Sequence, residues 1–222
     1  MHLHRIVSDI DDELPQSPFA RENGSLLMLV GLPGVGKSSI VAELLKRLPA
    51  LVISTDSVRV LMRNQPTYTA AERMLVYEVC YALIEARLRQ GQRVIFDGSN
   101  YQAARRAHLR QVARRVGAPV AVCYVQASQE VIWERLQKRN SGERRQGDLS
   151  DADWSVYKWM VEAQEPIVGD HLTLDTTAAL PDELANRLYD YWLNEEANAA
   201  SDPDLQSPSW ARELGRATDP GG

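Results

Sequence analysis

Five short apolar runs, rich in β-branched residues, recur along the chain. They span residues 26–30, 51–55, 94–96, 120–125 and 172–174. Short apolar runs bounded by polar residues are typical of buried strands. Because the runs are apolar throughout, they favour strands of a parallel sheet that is covered on both faces.

The segments between these runs show helical spacing of their apolar residues. One predicted helix ends at Pro49, a second spans about 74–88 and ends at Gly91, and a third runs from near Tyr101 to Gly117. Strands that alternate with helices predict an α/β fold, in which a parallel sheet carries helices on both of its faces.

The two ends of the chain differ from its middle. Residues 1–24 contain Pro15 and Pro18, show no sustained periodicity, and are predicted to be a flexible leader. Residues 197–222 are predicted to be a disordered acidic tail. The sequence therefore predicts one folded domain over residues 25–196, large enough to bury a sizeable core.

The net charge of −5 is unevenly distributed along the chain. Residues 1–24 carry five acidic and two basic residues, and residues 181–222 carry nine and three, which leaves residues 25–180 at +4. A modestly cationic core suits a phosphate-bearing substrate. This charge is well below that expected of a protein that coats nucleic acid.

Composition also predicts the compartment. No apolar run approaches the roughly 20 residues that a membrane-spanning helix needs, and the first residues lack the apolar stretch of a secretory signal. Cys80 and Cys123 lie inside apolar segments and are predicted to be buried free thiols. These features predict a cytoplasmic protein and leave its oligomeric state open.

The pattern G-x-x-x-x-G-K-S occurs once, between the first predicted strand and a helix that begins near Lys37. A phosphate-binding loop has this arrangement. Its glycines let successive backbone N–H groups point at phosphate oxygens, and the helix N-terminus adds its dipole. The predicted nucleotide-binding residues are Gly31, Leu32, Pro33, Gly34, Val35, Gly36, Lys37, Ser38 and Ser39.

Two residues of this loop have predicted chemical roles. Lys37 is expected to bridge the β- and γ-phosphates, and the Ser38 hydroxyl is expected to ligate Mg²⁺. The chain contains no Asn-Lys-x-Asp sequence of the kind that reads guanine, so ATP is the expected nucleotide. The alternative interpretation is a glycine-rich turn between strand and helix that binds no ligand.

Two carboxylates follow predicted strands. Asp56 comes directly after the run at 51–55, and Asp97 comes directly after the run at 94–96. Because the C-terminal ends of parallel strands line the ligand crevice, both are expected near the γ-phosphate. One could help to hold Mg²⁺ through water, while the other takes the proton of an attacking hydroxyl. The alternative for each is a helix N-cap.

Polar residues close to these carboxylates complete a predicted acceptor site. Arg59 is expected on the same helical face as Asp56, where it could hold a phosphate of the acceptor or form only a surface ion pair. Asn100 and Arg105 follow Asp97 closely enough along the chain to reach the same acceptor.

An arginine-rich segment follows the fourth predicted strand. Arg135 and Arg139 share one helical face, and Arg144 and Arg145 follow a flexible stretch. A mobile arginine lid could close over the phosphates and exclude water during phosphoryl transfer. The alternative is a solvated cationic helix.

Together these motifs resemble the P-loop kinases grouped around polynucleotide 5′-kinase, with zeta toxins, seryl-tRNA kinase and gluconate kinase as more distant relatives. The resemblance covers about residues 25–177. It implies a five-stranded parallel sheet of order 2-3-1-4-5 and Asp56 as general base toward the acceptor hydroxyl. It also implies that Arg59 holds the acceptor, that Asp97 supports the acceptor side, and that Arg135 and Arg139 clamp ATP.

Three functions are compatible with these residues. The favoured one is an ATP-dependent kinase that phosphorylates a hydroxyl, with a nucleic-acid 5′-OH as the leading acceptor. The second uses a small-molecule acceptor such as a sugar, nucleoside or antibiotic. The third is a nucleotide-dependent switch or ATPase, in which Asp97 would orient water. The spacing of Asp56 and Arg59 favours a kinase.

Overall fold

The computed structural model describes residues 3–15, 18, 22–62, 69–141 and 152–201, which form a sheet flanked by helices. The strands are β1 (Ser25–Val30), β2 (Leu51–Ser54), β3 (Arg93–Asp97), β4 (Val120–Gln126) and β5 (Leu172–Asp175). All five predicted strands are confirmed, and each boundary lies within one residue of its prediction.

The helices connect and cover these strands. They are α1 (Leu3–Glu13), α2 (Lys37–Leu45), α3 (Thr55–Leu61), α4 (Ala70–Arg89), α5 (Ala103–Arg115), α6 (Gln129–Asn140), α7 (Trp154–Ala163) and α8 (Pro181–Ala200). The three helices predicted from apolar spacing correspond to α2, α4 and α5. Within the described part of the chain, no helix combines the length and the apolar composition needed to cross a membrane.

The strands are parallel and follow the order β2-β3-β1-β4-β5, which confirms the predicted topology. The register pairs Ser54 with Asp97, so β2 and β3 end level with each other. The chain segments that leave these two strands therefore begin side by side, next to the loop that leaves β1.

The central strand β1 is fully buried along its length because both of its faces are covered. Leu26, Met28 and Val30 belong to a core with α1, α3, α4 and α5. Leu27 and Leu29 belong to a second core with α2, α6, α7 and α8. This two-sided burial explains why the strand sequences are apolar throughout instead of alternating.

The helix α1 corrects the prediction of a flexible leader for Leu3–Glu13. Ile6 and Ile10 are buried in the core shared with α4. Arg87 on α4 is 1% exposed and donates to the Asp11 carboxylate (Nε–Oδ1, 2.7 Å) and to its carbonyl oxygen (2.8 Å). The apolar residues of α1 are few and lie among acidic residues, so the sequence shows no clear helical period there.

Asp11→Ala should lower the free energy of unfolding by about 2–3 kcal/mol, since it removes a carboxylate partner from a buried guanidinium. Asp12→Ala, an exposed neighbour on the same helix, is the matched control and should have little effect. Chemical denaturation of both variants checks this prediction. Equal stability of the two would contradict the docking of α1 through Arg87.

The other end of the described chain also departs from its prediction. Helix α8 continues to Ala200, so the predicted tail begins inside a helix, and residues 202–222 lie outside the described residues. Trp192 is fully buried and its indole N–H donates to Ser25 Oγ at 2.6 Å. Arg93 forms a two-pronged ion pair with Glu196 at 2.8 Å. These contacts join α8 to the N-terminal edge of the sheet.

Both cysteines are buried free thiols, as predicted. Burial raises the pKa of Cys80 well above its usual range and raises the pKa of Cys123 to about 12. Because thiolate is the reactive form of cysteine, neither side chain is a nucleophile at neutral pH.

Candidate active site

The loop between β1 and α2 has the backbone that a phosphate cradle requires. A Cβ at Gly31 would lie 2.5 Å from the carbonyl oxygen of Val125, so only glycine allows the loop to pass this close to β4. Gly36 caps α2 with a left-handed φ of 98°, and a Cβ there would lie 3.2 Å from a guanidinium nitrogen of Arg135. The glycines thus serve both conformation and close approach.

Lys37 lies at the first position of α2 and folds back over this loop. Its Nζ donates to the carbonyl oxygens of Gly31 (2.9 Å) and Leu32 (3.3 Å). Burial lowers the pKa of Lys37, while the nearby carboxylates of Asp97 and Asp56 act in the opposite direction. The ammonium group therefore lies where the loop and both strand-end carboxylates converge.

Ser38 and Asp97 lie together at the sheet edge, where Ser38 Oγ donates to Asp97 Oδ2 at 3.0 Å. Asp97 is the last residue of β3, and the N-cap of α5 is Gln102, so the helix-cap interpretation of Asp97 is excluded. The hydroxyl and carboxylate are hard oxygen donors of the kind that suit Mg²⁺.

Magnesium usually takes one or two protein carboxylates, with phosphate and water oxygens completing its octahedron. Among the described residues, no group of three His, Cys, Asp or Glu side chains could hold a metal ion. The pair of Ser38 and Asp97 therefore fits a metal that arrives with a nucleotide, and does not form a self-sufficient protein cage.

Asp56 lies in the first turn of α3 and is not its cap. Ser54 is the N-cap, and it exchanges hydrogen bonds with Ser57 in a capping box. The helix-cap interpretation of Asp56 is thereby excluded. Its carboxylate is 35% exposed and accepts from Arg59 NH1 at 3.0 Å, so one face of the group remains accessible beside its arginine.

Arg59 is held by two carboxylates. Besides Asp56, its Nε contacts Glu72 Oε1 at 2.9 Å, and the side chains of Arg59 and Glu72 are only 13% and 15% exposed. The surface ion-pair interpretation is therefore wrong for Arg59. Glu72 was missed by sequence reasoning, because its role depends on how α4 packs against α3, thirteen residues away along the chain.

Arg105 lies in the first turn of α5, which follows the loop that leaves β3. Its Nε donates to Gln102 Oε1 at 2.7 Å, and its guanidinium carbon lies 3.5 Å from the centre of the Tyr77 ring. Burial raises the pKa of Tyr77, while Arg105 and a hydrogen bond with Ser99 oppose that shift. Tyr77 thus supports Arg105, one of the predicted acceptor residues, although no sequence motif singles out Tyr77.

Asn100 is a correction to the predicted acceptor site. It has a left-handed φ of 46°, is fully buried, and its side-chain amide donates to the carbonyl oxygen of Leu29 at 2.6 Å. The amide therefore fastens the loop after β3 to β1. The link is reinforced by Gly31, whose N–H donates to the carbonyl oxygen of Ser99 at 3.0 Å.

Arg135 on α6 is bound to the back of the phosphate loop. It donates to the carbonyl oxygen of Gly34 (3.2 Å) and to Thr176 Oγ1 (2.8 Å), and that hydroxyl donates to the carbonyl oxygen of Val35 (2.7 Å). The solvated-helix interpretation is thus excluded for Arg135. Arg139, one turn later, acts electrostatically on Lys37. The predicted lid arginines Arg144 and Arg145 lie outside the described residues.

Thr176 is the first residue after β5, and sequence reasoning missed it because no motif marks a neutral hydroxyl at this position. Thr176→Val keeps the side-chain shape but removes the hydrogen bonds of its hydroxyl with Arg135 and with the carbonyl oxygen of Val35. We expect the KM for ATP to rise about 10- to 100-fold, since hydrogen bonds to a charged partner contribute about 1.5–3 kcal/mol and 1.4 kcal/mol is tenfold.

Steady-state kinetics with varied ATP checks this prediction. Thr173→Val, an exposed threonine on β5, is the matched control and should leave the KM for ATP unchanged. A wild-type KM in Thr176→Val would contradict a supporting role of this network for the loop.

Comparison with known proteins adds a family and a set of relatives to this geometry. The AAA_33 family model, an AAA domain, matches residues 26–167. An L-seryl-tRNA(Sec) kinase of Methanococcus maripaludis is 23% identical over 190 residues, which cover 81% of this chain and 69% of that protein.

Two solved structures share the fold. The APS kinase CysC of Mycobacterium tuberculosis, in complex with AMPPNP and APS, has a TM-score of 0.59 and 18% identity, with 76% of this chain and 97% of that chain covered. Kti12 of Chaetomium thermophilum, in complex with ADP-AlF3, has a TM-score of 0.60 and 17% identity, with 76% and 99% covered. These likenesses establish the P-loop kinase fold, whereas the more specific resemblance to polynucleotide 5′-kinase stays a prediction.

Proposed function

The chain belongs to the AAA_33 family, and on that premise we propose that it is an ATP-dependent kinase that transfers the γ-phosphate to a hydroxyl acceptor. The observation that carries the proposal is the convergence of two sets of residues. Lys37 and Ser38 lie at the phosphate loop. Asp56 and Arg59 follow β2, which ends level with β3, the strand next to β1, and Asp56 acts electrostatically on Lys37.

The phosphate side of the site is built to hold and orient ATP. The amides of residues 31–38 and the α2 N-terminus would surround the triphosphate, and Lys37 would leave its loop carbonyls to contact the β- and γ-phosphates. Ser38 and Asp97 would hold Mg²⁺, directly or through water, and the bound ion supplies charge neutralisation at the phosphate oxygens. Arg139 would add a second cation beside Lys37.

The acceptor side supplies the base. Asp56 would take the proton of the acceptor hydroxyl as the acceptor oxygen bonds to the γ-phosphorus. The bond between that phosphorus and the β–γ bridging oxygen breaks, and ADP leaves with the bond's electron pair. Arg59, paired with Asp56 and Glu72, would keep the base oriented and ionised.

The leading acceptor remains a nucleic-acid 5′-OH, and a small-molecule alcohol is the alternative. The relative that acts on seryl-tRNA favours an acceptor carried by RNA, whereas the structural neighbour solved with APS favours a small anionic one. The arrangement of Asp56, Arg59 and Glu72 favours a kinase, with either acceptor, over an ATPase switch. The reason is that an attacking water molecule would not need a separate acceptor site.

An acceptor panel with γ-labelled ATP tests the proposal. The panel contains 5′-hydroxyl oligonucleotides, mononucleosides, sugars and a water-only reaction, each with Mg²⁺. We expect label on at least one alcohol at a rate well above release of inorganic phosphate. Release of phosphate to water that no added alcohol changes would overturn the kinase and support the switch.

A further inference from the structure

We propose that Arg105 binds an anionic group of the acceptor, and that the acceptor is therefore an alcohol that already carries a phosphate. The inference rests on the proposed kinase function and narrows its acceptor class. It also moves anion recognition away from Arg59, the residue to which the sequence resemblance assigns it.

Arg59 and Arg105 differ in their carboxylate partners. Arg59 lies between the carboxylates of Asp56 (3.0 Å) and Glu72 (2.9 Å), so an acceptor phosphate would have to compete with two resident anions for it. Arg105, in contrast, meets no carboxylate among the described residues. Of these two arginines, Arg105 is therefore the one without a carboxylate partner in the described part of the chain.

Two contacts fix the side-chain position of Arg105. Gln102 Oε1 accepts from its Nε at 2.7 Å, and the Tyr77 ring supports the guanidinium plane from 3.5 Å. Its NH1 nitrogen is enclosed and has no hydrogen-bond partner within the described chain. A donor withdrawn from water without a partner is costly, and an arriving acceptor anion would offset that cost.

The neighbouring Arg106 differs from Arg105 in its hydrogen-bond partners. Arg106 is buried and donates to four backbone carbonyl oxygens, so its donors are used in holding two loops together. Those carbonyls belong to Asn100, Tyr101, Glu165 and Pro166. Arg106 is thus structural, whereas Arg105 keeps a nitrogen without a hydrogen-bond partner among the described residues.

Arg105 lies in the first turn of α5, which follows the loop that leaves β3. Its ring partner Tyr77 contacts Phe96 near the end of β3, edge-on and with ring centres 6.2 Å apart. Tyr77 belongs to α4, which packs against α3, the helix that carries Asp56. An acceptor whose hydroxyl meets Asp56 could therefore place a second group against Arg105.

The chemistry of this subsite favours phosphate. A guanidinium presents a planar fork of N–H donors that matches two oxygens of a phosphate, and the aromatic face behind it limits its motion. A neutral sugar would leave the guanidinium uncompensated. A phosphate-bearing alcohol could be the 5′-hydroxyl end of a nucleic acid or a free phosphorylated metabolite, and both present the same group to Arg105.

Calorimetry on the full chain tests the inference. Protein saturated with AMPPNP and Mg²⁺, so that the phosphate loop is occupied, is titrated with matched pairs that differ only in a phosphate. The pairs are a nucleoside and its 3′-monophosphate, and glucose and glucose 6-phosphate; a 5′-hydroxyl oligonucleotide is titrated separately. The variants are Arg105→Gln, Arg105→Lys and, as matched control on an exposed position of the same helix, Arg114→Gln.

Wild-type protein should bind the phosphorylated member of at least one pair about 10- to 100-fold more tightly than its partner. Arg105→Gln should lose that preference, Arg105→Lys should keep part of it, and Arg114→Gln should keep all of it, with thermal melting unchanged in each. Tight binding of the oligonucleotide alone would identify the phosphate-bearing acceptor as a nucleic acid. In that case the inference still requires that Arg105→Gln loses the oligonucleotide binding.

Two results would overturn the inference. One is a wild-type protein that prefers neither phosphorylated compound and binds no oligonucleotide. The other is an Arg105→Gln variant with wild-type affinity for every phosphate-bearing probe. Absence of AMPPNP binding in the initial titration is a separate result, which would overturn the proposed kinase function and this inference with it.

Discussion

Asp56→Ala should reduce phosphoryl transfer by about 10²- to 10⁴-fold, the range that a positioned general base contributes, while ATP binding stays close to wild type. The carboxylate lies outside the phosphate loop and is only 35% exposed beside Arg59. Removing it takes the proton acceptor from the crevice but leaves every loop amide in place. Single-turnover transfer and nucleotide titration on the same preparation measure the two effects separately.

Two further variants sharpen this prediction. Asp56→Asn preserves shape and should be as inactive as Asp56→Ala, because the loss is one of basicity. Asp12→Asn, on an exposed position of α1, is the matched control and should transfer at the wild-type rate. Wild-type transfer by Asp56→Ala would remove the assigned base, and parallel loss of ATP binding would show that Asp56 supports the loop instead.

Lys37→Ala should weaken ATP binding by about 10- to 100-fold and transfer by about 10²- to 10³-fold, since a charge-assisted contact to phosphate is lost where transition-state charge develops. Among the described residues, Arg139 is the other cation that acts electrostatically on Lys37, and it belongs to a different helix, α6. Titration with ATP and Mg²⁺, followed by single-turnover kinetics, checks both values.

Lys46→Ala is the matched control for this experiment. Lys46 lies at the other end of α2, is 66% exposed, and forms an ion pair with Glu43. Its replacement should leave ATP binding and transfer unchanged. Melting curves of both variants are needed, because Lys37 also donates to two loop carbonyls and its loss could loosen the loop. Equal ATP affinity in Lys37→Ala and wild type would contradict the assignment of the loop.

The sheet could be predicted because each buried strand appears in the sequence as a short apolar run, whatever the neighbouring helices are. A strand such as β1, covered on both faces, has to be apolar at every position, and its length shows in the sequence. The rule that ligands meet strand ends then brought Asp56 and Asp97 to one edge. The structure confirms the strand order and shows that β2 and β3 end level with each other, whereas contact of the two carboxylates with a ligand stays a prediction.

The rest of the site depends on side-chain direction and on helix packing, which the sequence does not encode locally. Asn100 is adjacent to the crevice in sequence, but its left-handed backbone turns the amide into β1. Glu72 reaches Arg59 only because α4 crosses α3 at the right place. Thr176 is the first residue after β5, and its neutral hydroxyl gives no sequence signal for its contacts with Arg135 and the phosphate loop.

The most direct test of the account is a crystal structure of the protein with AMPPNP and Mg²⁺. We predict the triphosphate within the amides of residues 31–38, Lys37 Nζ on the γ-phosphate, the metal beside Ser38 and Asp97, and the open face of the γ-phosphate directed toward Asp56. A nucleotide bound elsewhere, or a γ-phosphate that faces away from Asp56, would contradict it.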